Sequence, residues 1–291
     1  MYLGYYRNYL TESSSSGNET VDDNTTLETT ASEWALIIIV YILGLVGIVG
    51  NAAVCFVIYR TKEMHNATNY LIVNLAVADF SVSLFSPIHI LFDRLDLWPS
   101  SVTGKMFYCH FIYTELLLWI STTASPLALM LVSFERFIGI VYPLHYNRLV
   151  TNSRLKMAVL SQWIIAIVPE LSWIPLIYYN DDLEDCDVAR VPLAAEIIVF
   201  TIQFVLSFGL PIVTLVYLYF RMFSSLAKYA RIGIHPTNPR ANETLRARKN
   251  ILMNLFTVAA LFIVLLTPCQ IVMLWLISCI EFDGLCNDKS P

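Results

Sequence analysis

Apolar residues in this chain run in blocks rather than in stripes. From Trp34 to Tyr59 the sequence WALIIIVYILGLVGIVGNAAVCFVIY has Asn51 as its only strongly polar position. Five comparable blocks follow: Leu71–Phe92, Met106–Phe134, Met157–Tyr179, Val191–Phe220 and Ile251–Ile280. A helix on the surface of a soluble core keeps a polar face at helical spacing, and these blocks lack one. A bilayer core about 30 Å thick needs roughly 20 helical residues, which each block supplies. The pattern predicts an all-α integral membrane protein with six spans, at about 34–59, 70–92, 106–140, 155–179, 191–223 and 245–280.

Composition sharpens this picture. Of 291 residues 57% are hydrophobic and 14% charged, with mean hydropathy +0.61; soluble domains sit nearer about 45–50% and about 25%. Residues 1–33 include the polar, acidic stretch TESSSSGNETVDDNTTLETTASE, which has no Lys or Arg and is expected to be a disordered extracellular tail. No apolar core flanked by small residues precedes Trp34, so the first span is expected to act as its own insertion signal. Thirteen of the eighteen basic residues flank or fill the connections after spans one, three and five, from Arg60 and Lys62 to Arg246, Arg248 and Lys249. By the positive-inside rule those connections are cytosolic and the N-terminus is outside. The net charge of −5 arises on the outer side, notably in DDLEDCD at 181–187.

Cysteines and intramembrane polar residues supply the candidate chemistry. Cys109, Cys186, Cys279 and Cys286 fall on the oxidising side, where disulfides persist. A Cys109–Cys186 link is favoured; Cys279 and Cys286 are left between a local pair, free thiols and cross-pairing. No metal site is expected, because no matching His spacing accompanies them. Asp79 costs about 2.5–3.5 kcal/mol at a helix centre, so it is expected to join an interior polar cluster or an ion site, with sodium as the candidate ion. Asn51 and Ser125 lie at depths that could complete it. Glu170 is a second intramembrane carboxylate, without an assigned partner. Pro87, Pro126, Pro169, Pro175, Pro211 and Pro268 punctuate the spans and predict kinks.

The constellation resembles the rhodopsin-like (class A) G-protein-coupled receptors. The residues that carry it are Gly50-Asn51, Leu75-Ala76-Val77-Ala78-Asp79, Glu135-Arg136-Phe137, Pro143-Leu144-His145-Tyr146, Trp163, Phe208, Pro211, Tyr219, Phe262 and Pro268, in the family's spans, order and spacing. The resemblance implies a seven-transmembrane receptor bundle with six helices present. It also implies that the chain, with 281–291 as an outer loop, stops where a seventh span would follow. It implies that Glu135 holds Arg136 at rest, and that outward movement of span six lets Arg136 turn toward Tyr219 while a heterotrimeric G protein enters. Leu144 would dock on that G protein, and Arg246, Arg248 and Lys249 would rim the crevice. Pro211, Phe262, Leu266 and Pro268 would form the packing that switches.

Several positions depart from the family pattern. Phe137 replaces the usual Tyr, and Leu266 stands where a tryptophan is common. Pro126 occupies a slot usually branched and apolar, and Arg248 stands where some members place an acid. Cys109 lies two residues further from Arg136 than is usual, so the slot for an amine-binding aspartate is Leu118 counted from Arg136 and Leu116 counted from Cys109. The register near Pro126 is left open between the two counts. Neither slot is acidic. Glu115, Leu118, Trp119, Asp185, Asp187 and Gln270 are the ligand-pocket candidates, and the acidic outer surface points to a cationic peptide. A small-amine receptor and a non-signalling six-span fragment or decoy that associates with full receptors are the alternatives.

Other classes fit less well. A transporter or channel predicts internal repeats or charged pore rings, and the chain shows neither. An intramembrane enzyme would need a fixed constellation, yet His65, His89, His110, His145 and His235 are scattered. No enzyme activity, organic cofactor or nucleic-acid partner is expected; the partners are an extracellular ligand, a heterotrimeric G protein and plasma-membrane lipid. The orientation has a direct test in four glycosylation sequons, at Asn18, Asn24, Asn66 and Asn242. Glycosidase treatment should shift the mass through Asn18 and Asn24 only; glycan on Asn242 would reverse the topology.

Overall fold

The computed structural model describes residues 23–95, 99–181, 184–189, 192–231, 250, 252–268 and 270–271. The described residues of the apolar blocks are mostly helical, as a chain in lipid must be when no water can satisfy its backbone groups. Five helical stretches are long and apolar enough to cross a membrane: Trp34–Arg60, Ala67–Phe92, Val102–Val141, Asn152–Leu176 and Ile197–Lys228. The described part of the sixth block is a shorter apolar helix, Leu252–Pro268; residues 245–249 and 272–280 of that expected span lie outside the described residues.

In chain order the elements are α1 (Asp23–Arg60), α2 (Ala67–Arg94), α3 (Val102–Phe107) and α4 (Leu116–Val141). A single turn at Tyr146–Leu149 precedes α5 (Asn152–Leu171), and β1 (Ile177–Asn180) and β2 (Asp185–Val188) form an antiparallel hairpin. Then come α6 (Leu193–Phe204), α7 (Leu210–Arg231) and α8 (Leu252–Pro268). Two compact units divide these elements. One runs to Ser125 and includes Ser161–Ile197; the other holds Pro126–Leu160 and the residues from Ile198 onward.

Four boundaries differ from the sequence expectation. Helix α1 starts at Asp23, inside the stretch expected to be disordered. Once the apolar block is helical, extending it needs no new nucleus. Span three is not one helix to residue 106: a π-helical segment at Tyr108–Tyr113 leads to Glu115, whose φ of 53° breaks the run before α4. Span four ends at Leu171 rather than 179; Pro175 follows in a 3-10 turn, and residues 177–179 are strand. Span five has a π segment at Val205–Gly209 just before Pro211 and then runs on to Arg231. A proline lacks the N–H that would close the preceding turn, and a wider turn is one way to absorb it.

In the first unit, α1 from Trp34 onward is apolar nearly all round, with Leu36, Leu43 and Val46 exposed as suits lipid contact. It lies close against α2 at Ser83. A Cβ on Gly44 would stand 3.0 Å from the Ser83 carbonyl, the one that Pro87 leaves without its helical donor. Gly47 faces the Ser83 side chain even more closely. Ala78, Leu116, Ile120, Ala124 and Ala166 form a buried core between α2, α4 and α5, with Trp163 and Ile167 against it. The disulfide Cys109–Cys186 is formed, its Cα atoms 5.5 Å apart, and ties the π segment to β2.

In the second unit, Leu215, Leu218 and Met222 of α7 are fully buried, and the rings of Tyr219 and Phe223 meet Phe256 of α8 edge-on.

The glycine contacts set an expectation. Gly47→Leu should push α1 from α2 and lower the thermal midpoint in detergent, by an overpacking cost of about 1–3 kcal/mol. Gly50→Leu, where a Cβ meets open space, should leave the midpoint unchanged.

Candidate functional site

Glu135 and Arg136 sit near the end of α4, in the second unit. Adjacent residues on a helix do not normally face each other, yet here they pair: Arg136 Nε lies 2.8 Å from Glu135 Oε2. That nitrogen has no hydrogen-bond partner in directional terms, so the contact is ionic. The other carboxylate oxygen, Oε1, accepts the Tyr146 hydroxyl. Tyr146 comes from the turn beyond α4, its ring against Gly139, where a Cβ would stand at 3.6 Å. Glu135 is 3% exposed and Arg136 24%, so the acid is enclosed and the guanidinium reaches out. At an effective dielectric of about 20 the gross attraction is ~6 kcal/mol, and desolvation of both charges offsets most of it. A cleft of about 240 Å³ opens beside the pair, lined by Arg136, Gly139, Ile140, Pro143 and Tyr146.

The second unit also holds the other coupling and switch candidates. Phe137 is buried and stacks edge-on against Tyr142, so it packs the loop rather than the cleft. Leu144 is 95% exposed. The Tyr219 hydroxyl lies 3.2 Å from Ser133 Oγ, a partner that sequence reading missed. Pro211 is fully buried, Phe262, Leu266 and Gln270 are half-buried, and Pro268 is exposed. Arg246, Arg248 and Lys249 lie outside the described residues, as do Cys279, Cys286 and Asn18; Asn24 lies in the backbone of α1.

A polar cluster occupies the first unit. Ser125 donates to Asp79 Oδ1, so two of the three expected members meet. Asn51 instead donates to the Gly47 carbonyl of its own helix at 3.0 Å. One and a half turns from Asp79 is a second network that sequence reading missed. The Asn74 amide donates to Gln162 Oε1 at 2.6 Å, and Gln162 Nε2 donates to the Ala124 carbonyl at 2.9 Å. The Trp163 indole donates to Asn74 Oδ1 at 3.0 Å. Asn74 and Gln162 are amides inside apolar blocks, which was the available signal. Among the described residues no group of three His, Cys, Asp or Glu side chains is arranged to hold a metal.

The ligand-pocket candidates other than Gln270 also fall in the first unit. Helix α4 runs unbroken from Leu116 to Val141 with Pro126 inside it, so the count back from Arg136 holds. The irregular stretch precedes Leu116, in the π segment at Tyr108–Tyr113 and the left-handed Glu115, so the two residues by which Cys109 is out of step are taken up there and not at Pro126. Leu118 and Trp119 are half-buried.

Asp185 and Asp187 prove to be hairpin-building residues. Asp185 Oδ1 accepts the Cys186 N–H at 2.6 Å, and Asp187 Oδ1 the Val188 N–H at 2.8 Å. Asp187 Oδ2 also takes the Tyr178 hydroxyl at 2.9 Å, a bond that raises the Tyr178 pKa above the usual phenol value. Each aspartate thus covers an N–H of β2, which guards an edge otherwise open to strand pairing. On the other side of the hairpin, Lys105 Nζ donates to the Tyr179 hydroxyl at 2.8 Å.

Residues 50–289 match the family model for the 7 transmembrane receptor (rhodopsin family). The chain belongs to that family, whose members are receptors rather than enzymes, and it is a multi-pass plasma-membrane protein. It is 30% identical over 189 residues to the alpha-1A adrenergic receptor of Oryzias latipes, a match covering 64% of this chain and 38% of that receptor. The human alpha-1A adrenergic receptor is 35% identical over 134 residues, 44% of this chain and 28% of the receptor. The adenosine receptor A2a of Equus caballus is 25% identical over 258 residues, 82% of this chain and 60% of the receptor. The chain therefore spans about a third of the length of the first relatives it matches.

Removing the amide at 162 tests the second network. Gln162→Leu strands the Asn74 amide and the Ala124 carbonyl, and should cost roughly 1–3 kcal/mol of stability. Ile164→Ala, on the exposed side of α5, should cost far less in the same thermal assay.

Proposed function

We propose that this chain is the receptor part of a G-protein-coupled receptor, which an extracellular ligand switches so that heterotrimeric G proteins exchange nucleotide. The observation that carries this reading is the divided carboxylate of Glu135, shared between Arg136 and Tyr146 beside an open cleft. A partly exposed guanidinium held by an enclosed acid, its attraction largely offset by desolvation, can be released by a modest shift of its helix. An exposed Leu144 beside it offers an apolar anchor. In this reading span six moves outward, Arg136 turns toward Tyr219, and Arg246, Arg248 and Lys249 rim the crevice. Asp79 and Ser125 offer a carboxylate and a hydroxyl oxygen, which suits a sodium ion at rest. The N-terminus is extracellular.

For the ligand, a cationic peptide remains the preferred class. Asp181 and Glu184, exposed at the hairpin tip, support it through their field, while Asp185 and Asp187 serve the hairpin instead. The names of the relatives point to adrenergic and adenosine ligands. An ammonium ligand would want an anion in upper α4, and Leu118 fills that slot.

Membranes bearing the chain, mixed with purified heterotrimeric G protein and a non-hydrolysable GTP analogue, should exchange nucleotide faster than empty membranes. Arg136→Ala should abolish the excess. Tyr146→Phe removes one support of Glu135, worth about 1.5 kcal/mol for a charged hydrogen bond, and should raise basal exchange up to about tenfold. A wild-type rate equal to that of empty membranes rejects the reading.

A further inference from the structure

The cytoplasmic connection between α4 and α5 is short and carries little structure of its own. Pro143–His145 form a 3-10 turn and Tyr146–Leu149 a single helical turn, closed by the Val150 N–H on the Tyr146 carbonyl at 2.8 Å. One isolated turn lies far below the length at which a helix holds itself, and its last carbonyls have no helical donors. Yet this loop must keep Leu144 exposed and Tyr146 on Glu135 at once. Tyr146 pins one side of it.

The other side is pinned from α5. Arg154 Nη1 donates to the Arg148 carbonyl at 3.0 Å and to the Leu149 carbonyl at 3.4 Å. A cation on the terminal carbonyls of a helical turn satisfies their lone pairs and opposes their partial negative charge. Thr151 fixes where Arg154 starts: its carbonyl accepts the Leu155 N–H at 3.0 Å and its hydroxyl the Arg154 N–H at 3.5 Å, which caps α5. The side chain of Arg148 carries the same charge as Arg154, so the attraction is to backbone carbonyls and not to a side-chain ion pair. A basic residue at this depth would ordinarily be read as a membrane-edge anchor, and an anchor needs no carbonyl partners.

We infer that Arg154 is a positioning residue that holds the loop at 142–151 closed, so that Leu144 and Tyr146 are presented together to the G protein. The presentation to a G protein rests on the function proposed above; the closing of the loop does not, and the test separates the two. In Arg154→Ala, amide hydrogen exchange at Leu149 and Val150 in detergent-solubilised chain should rise about tenfold or more. With G protein and the GTP analogue, the half-saturating G-protein concentration should rise several-fold while the maximal exchange rate stays within about twofold, as expected when ordering of a docking loop is lost. Arg154→Met keeps the aliphatic stem at the membrane edge and should behave like Arg154→Ala, which guards against a simple insertion defect. Unchanged amide exchange in both variants overturns the inference. Faster amide exchange with an unchanged half-saturating concentration overturns the link to docking. A wild-type chain that drives no nucleotide exchange rejects the G-protein reading, and the amide exchange then decides alone whether Arg154 closes the loop.

Discussion

Inside a bilayer a hydroxyl, amide or carboxylate has no water to turn to, so the protein itself must answer each one. That constraint organises both units. In the first, Asp79 is met by Ser125, and Asn74, Gln162, Trp163 and the Ala124 carbonyl close on one another. In the second, Ser133 meets Tyr219, and Glu135 meets Tyr146 and Arg136. Apolar packing cannot choose between helix arrangements strongly in lipid, because a neighbouring tail is as apolar as a neighbouring leucine. Polar links and close approaches at small residues therefore do the choosing. Gly44 and Gly47 against Ser83 are the second kind.

The apolar blocks made the helices legible, since lipid demands long runs and the runs need no partner to be recognised. Their irregularities were not legible. Nothing in YCHFIYTEL marks a π segment followed by a left-handed Glu115, because such a break is decided by the disulfide and the hairpin packed against it. The sequence did show that Cys109 was two residues out of step, but a count cannot say where residues are stored. Pro126 drew suspicion only because prolines are visible in a sequence and π turns are not. The helical start of α1 at Asp23 was missed for a related reason: composition reports what a segment would do alone, not what an adjoining helix imposes on it.

At the site, residue types were more legible than their partners. Glu135, Arg136, Asp79 and Ser125 stood out as charges or hydroxyls in apolar surroundings. Ser133, Asn74 and Gln162 did not, and Tyr146 stood out only as part of Pro143-Leu144-His145-Tyr146, because each acquires its partner only from a group on another segment. Asp185 and Asp187 show the converse case. Their charge suggested a ligand, whereas their neighbours' N–H groups use it to cover a strand edge. A carboxylate beside a two-stranded hairpin has local work available that a charge count ignores.

The pairing of Glu135 with Arg136 also explains why two charges can stand together at the end of an apolar helix. An ordinary membrane-edge pair would let both side chains reach water, and then neither would be enclosed. Here the acid is enclosed and the base is not, which an anchoring role alone does not require. The enclosure comes from Tyr146, and Tyr146 is available only because the loop turns back over Gly139. A loop of that kind loses conformational freedom when it closes, and the hydrogen bonds of Tyr146 and Arg154 offset that loss at its two sides. The loop is thus tied at both sides by a few hydrogen bonds. A device meant only for stability would bury both charges or neither, so the asymmetry itself argues for a group that is kept ready to be released.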